Sequence, residues 1–170
     1  GYQCWIKENL KTSKYKNGDT ISYASSMPSN TSSNYSYYNN NSSYNGTYGK
    51  LYQWSTANDS RGLCPVGWHV PSNQNWLDLS NELNANGGAM KAITLWDAPN
   101  GGATNSSGFT AYGGGMLDGS GYRLINKYGY FWSSTGSQFN TNVIWLTNDL
   151  GGFNWGTTSN FFFSVRCIKD

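Results

Sequence analysis

His69 is the sole histidine, so any Ser-His-Asp or Cys-His catalytic arrangement would have to run through it. It stands between Trp68 and Val70, in a block held at both ends by Pro65 and Pro71, whose rings fix φ. That setting favours a histidine that anchors a turn. The carboxylates are Glu8, Asp19, Asp59, Asp78, Glu82, Asp97, Asp118, Asp149 and Asp170. Glycoside hydrolysis needs two facing carboxyls with separated pKa values, and no recognisable pair stands among them. Catalysis is therefore not expected. Cys4, Cys64 and Cys167 allow one disulfide with one thiol left over, and no Cys-x-x-Cys spacing suggests zinc. In a secreted protein the preferred bridge is Cys64 to Cys167, closing a loop of about one hundred residues for roughly 4–5 kcal/mol. Three buried thiols are the alternative.

The positive chemical signal is aromatic. Trp145, Phe153, Trp155, Phe161 and Phe162 fall close together in the C-terminal part of the chain, interleaved with Asn, Thr and Gly. Rings supply apolar area with few rotatable bonds, and small polar residues supply adaptable hydrogen bonds, the combination used by antibody loops. Strand alternation prevents all of these rings from facing inward. The blander alternative is that Trp145 and Phe163 are core, leaving Phe153, Trp155 and Phe161 to the surface, and even that leaves a ligand patch. The candidate ligand contacts are Trp145, Thr147, Asn148, Asp149, Leu150, Gly152, Phe153, Asn154, Trp155, Thr157, Thr158, Asn160 and Phe161.

The composition supports a binding role of this kind. Only 12% of the 170 residues are charged while 16% are aromatic, and a net charge of +2 is too small for nucleic-acid binding. Lys7, Lys11, Lys14 and Lys16 form the one loose basic group and read as a solvated surface. No apolar run approaches the roughly 20 residues of a membrane span. Neutral polar residues must keep the chain soluble, a style typical of extracellular domains rich in strands and loops. The chain opens on Gly1 without an initiator Met, which reads as a chain whose leader has been removed. Its length fits one domain spanning residues 1–170.

The elements that must position these residues are mostly short. Gln3–Ile6 reads as a strand. Residues 15–48 carry no period, but their seven tyrosines predict a long ordered excursion. Ser72 is placed to cap a helix with Trp76, Leu79 and Leu83 on one face, and Gly87-Gly88 to stop it. Beyond Trp96, strands are expected at 109–111, 121–124, 128–132, 142–147 and 161–167, separated by glycine-rich turns. Few helices and many short strands predict a mixed, β-dominated domain.

Several blocks resemble a known family. They are the opening Gln3-Cys4-Trp5-Ile6-Lys7-Glu8-Asn9-Leu10-Lys11-Thr12, the block Tyr48-Gly49-Lys50-Leu51-Tyr52-Gln53-Trp54, and the signature Leu63-Cys64-Pro65-Val66-Gly67-Trp68-His69-Val70-Pro71. Residues 103–111, Tyr130-Phe131-Trp132-Ser133-Ser134-Thr135 and Phe163-Ser164-Val165-Arg166-Cys167-Ile168-Lys169-Asp170 follow in order. Together they resemble the Fibrobacter succinogenes major paralogous domain family, found on bacterial surface and secreted proteins. The resemblance implies an α+β, C-type-lectin-like fold with many short strands, long ordered loops and one or two helices. It also implies kinship with formylglycine-generating enzymes, although fold kinship alone gives no activity. If Cys64 and Cys167 are bridged, the paired-cysteine oxidation chemistry of those enzymes is missing.

Family members also serve as variable proteins of diversity-generating retroelements, in which a C-terminal stretch is diversified on a fixed scaffold. The corresponding segment here is 136–162, between the fixed-looking ends 131–135 and 163–167. Trp145-Leu146-Thr147-Asn148-Asp149 distantly resembles the Trp-Asn-Asp element of sugar-binding C-type lectins, but the spacing differs and no Glu-Pro-Asn partner exists. No cofactor is expected; a structural calcium at Asp97 or Asp118 has no support in the sequence. The expected function is a non-catalytic adhesion or receptor-type domain, extracellular or on the cell surface, for a protein or glycan ligand. A pilus or filament subunit that self-associates, and a carbohydrate-binding module, are the alternatives.

Overall fold

The computed structural model describes residues 2–28, 32–137 and 139–170, and the strand pattern expected after Trp96 organises it. The strands are β1 (Ser22–Tyr23), β2 (Asn34–Ser36), β3 (Leu51–Gln53), β4 (Trp68–His69), β5 (Gly114–Asp118), β6 (Gly121–Ile125), β7 (Tyr128–Ser137), β8 (Asn140–Thr147), β9 (Asn154–Thr158), β10 (Phe162–Phe163) and β11 (Ile168–Lys169). The helices are α1 (Asn45–Tyr48), α2 (Trp54–Ala57) and α3 (Asn73–Glu82). The architecture is α+β, mostly sheet with few short helices. Among the described residues no helix is long and apolar enough to cross a membrane.

The main sheet runs β1-β2-β3-β10-β5-β7-β8-β9, with β6 paired to β5, while β4 and β11 form a separate antiparallel ribbon. β1–β2 and β5–β7 are parallel; the other pairings are antiparallel. β10 is the last strand of the main sheet in sequence yet sits in its middle, between β3 and β5. The C-terminal segment is therefore built into the scaffold. Residues 15–48 are ordered as expected where described: β1 pairs β2, and the rings of Tyr23, Tyr35 and Tyr37 pack on one another at 5.6–5.8 Å.

α3 forms because Ser72 caps it: Ser72 Oγ accepts from Asn75 N at 3.2 Å, and Asn75 Oδ1 accepts from Ser72 N at 2.8 Å. Its apolar side buries Trp76 and Leu79 against Phe131, Ile144 and Leu146 of the sheet. The helix stops before Gly87: Asn84 and Ala85 turn to positive φ, and Gly87-Gly88 lie in a following 3-10 turn. The opposite face of the sheet packs Tyr52, Trp132, Val143 and Phe163 around Leu10, Cys64, Val165 and Cys167. Cys64 and Cys167 are joined in a disulfide across 103 positions of sequence, and Cys4 is free and exposed.

Three strand expectations shorten. Residues 109–111 contribute a single bridge, Ala111 to Lys91. Gln3–Ile6 contributes a single bridge, Trp5 to Ile168. The stretch 161–167 is a strand only at Phe162–Phe163, because the carbonyls of Val165 and Cys167 turn to accept from Leu10 N and Ile6 N. Arg166, between those carbonyls, is fully buried. It donates to the carbonyls of Lys7 (2.7 Å) and Phe109 (2.6 Å) and to Asn9 Oδ1 (2.6 Å), with the Phe109 ring 4.3 Å from its guanidinium carbon. Burial pulls its pKa down to about 9. Lys91 is likewise buried, its ammonium donating to the carbonyls of Gly101 (2.6 Å), Thr147 (2.9 Å) and Leu150 (3.0 Å). Both cations draw the loops around them together through main-chain oxygen, to which Arg166 adds the side-chain oxygen of Asn9.

Candidate ligand-binding groove

The register of β7, β8 and β9 decides which C-terminal side chains meet. Tyr130 pairs with Trp145 and Trp145 with Asn154, while Trp132 pairs with Val143 and Val143 with Gly156. Cross-strand partners share a face, so Tyr128, Tyr130, Trp132, Val143, Trp145, Gly156 and Thr158 lie on one side. Trp132 and Val143 are covered by the core, whereas Tyr130, Trp145 and Phe161 stay half-buried at its margin. There the sheet leaves an open groove of about 420 Å³. Met116, Val143 and Phe163 contribute buried apolar lining, and Arg123, Tyr128, Tyr130, Trp145, Gly156, Thr157, Thr158 and Phe161 complete it.

The rings in this groove are ordered relative to one another. Tyr128 and Tyr130 are parallel at 5.4 Å, Tyr130 and Phe163 at 4.6 Å, and Phe161 and Phe163 at 5.2 Å. Trp145 leans against Tyr130 at 6.2 Å, tilted by 40°. Gly156 leaves room for that indole: a Cβ there would lie 3.0–3.1 Å from two of its ring carbons. Arg123 brings the one charge in the lining and is ion-paired with Asp118. Desolvation, reinforced by neighbouring Tyr128 and opposed by Arg123, pushes the Tyr130 hydroxyl up to about 12. The groove is thus apolar, ring-lined, and edged by hydroxyls and one guanidinium, the composition of a binding site.

Of the residues nominated from sequence, Trp145, Thr157, Thr158 and Phe161 meet in this groove. Trp145 and Phe161 are both half-buried, so the alternative division into a core Trp145 and a surface Phe161 does not hold, while Phe163 is buried. Phe153 and Trp155 alternate to the other face of β9, where their rings stack at 6.0 Å and Phe153 packs toward α3's side of the core. Thr147 is buried, and its side chain accepts from Leu150 N. Asn148 donates to the carbonyl of Ala98 at 3.0 Å, and Asn154 to that of Trp145 at 3.3 Å, so both amides brace the backbone. Asp149, Leu150 and Gly152 are exposed on the β8–β9 connection, and Asn160 is exposed at φ 60° in the turn before β10. Within the segment 136–162, Gln138 lies outside the described residues.

Tyr128, Tyr130, Arg123 and Met116 were not nominated. The alternation Tyr128-x-Tyr130-x-Trp132 carried the signal for the first two: three rings on one face cannot all reach the core at a sheet margin. Arg123 and Met116 belong to a hairpin whose crossing beside β7 has no sequence signature.

His69 lies outside the groove, on β4. Its Nδ1 is 2.7 Å from Asp170 and its Nε2 is 3.4 Å from Asn75 Oδ1, an exposed contact that ties the C-terminus to the start of α3. Asp118 accepts from Arg123 and from Ser120 N, while Asp97 lies in a turn whose carbonyl faces the Asn148 amide. Among the described residues no three His, Cys, Asp or Glu side chains gather to hold a metal ion. A second cleft, about 510 Å³, lies between Trp5, Ile6 and Phe109 and the Leu79–Leu83 side of α3. It is the larger of the two, but none of the residues nominated from sequence lines it.

The blocks that resembled a family occupy the parts that hold the groove in place. Leu51–Trp54 spans β3 and opens α2, Cys64 carries the disulfide, and Phe163–Cys167 runs from β10 through Arg166. No curated protein and no solved structure matches the chain. A family model, described as the Fibrobacter succinogenes major domain, matches residues 1–169. With that match covering nearly its whole length, the chain belongs to the Fibrobacter succinogenes major domain family.

Proposed function

We propose that this chain is a non-catalytic ligand-binding domain of C-type-lectin-like fold that captures a protein or glycan in the groove beside β7, β8 and β9. The supporting observation is the groove itself, where rings from β7, β8 and the segment entering β10 converge beside two threonines and an arginine. Aromatic anchors at the centre of an open site, rimmed by small polar groups, are the arrangement that carries most binding energy at interfaces. The disulfide is compatible with an extracellular or cell-surface setting. The segment 136–162 supplies much of the groove wall, so diversification there would change the ligand while leaving the scaffold alone. A neighbouring reverse transcriptase, with a second copy of the codons for residues 135–170 differing at adenines, is the genomic observation that tests this.

Binding is tested by probing glycan and protein arrays with the wild-type chain and two variants. Thr158→Arg crowds the groove, and Trp155→Ala removes a ring from the opposite face of β9. Thr158→Arg is expected to weaken array binding by about tenfold or more, equivalent to about 1.4 kcal/mol, with Trp155→Ala neutral. The reverse pattern would move the site to the outer face.

One observation favours self-association as a second reading: β9 ends the sheet. An edge strand presents unpaired backbone groups to another chain. Sedimentation velocity across concentration decides it, since a polymer that grows with concentration would replace the receptor reading.

A further inference from the structure

The far edge of the sheet carries a second cluster, remote in sequence from the groove. Tyr23 of β1 pairs with Tyr35 of β2, and Tyr35 with Tyr52 of β3, so these rings share a face. Continuing that antiparallel register brings Tyr37 opposite Lys50. Chain geometry fixes where Lys50 stands. Gly49, at φ 73°, ends α1 where any Cβ would meet Asn9 and the Leu10 carbonyl at 2.8 Å, and Lys50 N donates to that carbonyl. The lysine is only 4% exposed. Its ammonium lies 4.2 Å from the centre of the Tyr35 ring and 5.4 Å from that of Tyr37. Tyr23, 44% exposed, packs against both rings and is held by a 2.7 Å hydrogen bond from its hydroxyl to Asn40 Oδ1.

The unusual feature is what Lys50 lacks. Lys91, equally deep, gives its hydrogens to three carbonyls, and Lys11 pairs with Glu8. Among the described residues Lys50 has neither a hydrogen-bond acceptor nor an ion-pair partner; the two rings are its electrostatic company. Burial lowers its pKa with no carboxylate to oppose the shift. Ring faces attract a cation but accept little from its N–H groups, and a buried charge without a counter-ion is costly to keep. An anionic oxygen would complete the ammonium's coordination. The exposed tyrosine beside it offers a surface on which the C–H face of a sugar ring can lie.

We propose that Lys50, with Tyr23, Tyr35 and Tyr37, forms a second binding site, for the carboxylate-bearing sugar of an acidic glycan. The site is independent of the groove beside β7–β9 and does not rest on it. Isothermal titration calorimetry with tetragalacturonate, tetramannuronate and their methyl esters tests it. At least one uronate is expected to bind the wild-type chain, with its ester about tenfold weaker or worse. Lys50→Met keeps the stem beneath the rings but removes the charge, and is expected to lose binding by about tenfold or more; Lys50→Arg is expected to retain it within about threefold. Tyr23→Ala removes an exposed ring without opening the core, and is expected to weaken the uronate by about threefold or more. Thr158→Arg should leave uronate binding unchanged, so failure of this site and failure of the groove are read separately. Absence of binding by both uronates, equal binding of the esters, or an undiminished Lys50→Met would overturn the proposal.

Discussion

Arg166 and Lys91 show why part of the molecule is hidden from a reading of residue types. Each is buried; Lys91 is held by main-chain carbonyls alone and Arg166 by main-chain carbonyls together with Asn9 Oδ1, and carbonyls are supplied by every residue and marked by no motif. The cysteines and the sole histidine were legible because their chemistry belongs to their side chains. Asp59 shows a conventional ion pair, made to Arg61 through Nε at 2.9 Å and a terminal nitrogen at 2.8 Å. Hydrogen bonds from Arg61 hold its carboxyl at about 2, below its ordinary 3.8. A depressed acid stabilises the fold above its unfolded pKa, and that stability is lost as pH falls through the folded value. The shift corresponds to roughly 2 kcal/mol at full value, and solvent around the partly exposed Arg61 trims it to about 1 kcal/mol. Asp59→Asn should therefore lie about 1 kcal/mol below wild type at pH 6. Urea titrations at pH 6 and pH 2 check this: the gap is expected to close at the lower pH.

At the scale of elements, local signals succeeded where one stretch of chain satisfies itself. Ser72 was readable as a cap, and α3 carries that cap with Trp76 and Leu79 buried. Ser72→Ala is expected to cost about 1 kcal/mol and to lower the melting temperature by a few degrees, measured by thermal circular dichroism. An unchanged melting temperature would show that packing of Trp76, rather than the cap, sets the helix. Strand existence was also readable, from period-two alternation at β6, β7 and β8. Strand length was not, because it depends on partners. The run ending at Cys167 looks like seven strand residues, yet its last carbonyls face the N-terminal segment, more than 150 positions away in sequence. Nor could the groove be found from β8 and β9 alone, since four of its five rings come from β7 and from the chain that enters and forms β10.

For the whole molecule, the order of strands puts the C-terminal segment at the centre of the sheet and the disulfide at its support. Cys167 follows β10 closely, and its bond to Cys64 anchors the central strand to the proline-flanked block. Opening a crosslink of this span should cost roughly 4–5 kcal/mol by the chain-entropy model. Urea unfolding with and without dithiothreitol measures that difference, and overlapping curves would mean the sheet alone carries the stability. The class of fold was legible from many short strands and one capped helix. The strand order was not, because β10 inserts between β3 and β5 from a distance that no local pattern encodes.

Lys91 grips residues 147 and 150 by their carbonyl oxygens. An anchor of that kind is blind to the letters of the sequence it holds. Codons in the β8–β9 connection can be rewritten without loosening it, provided the path of the backbone is kept. The charge is also covalently part of the protein, so it cannot be diluted or chelated away. The connection is in effect a removable faceplate on a permanent screw.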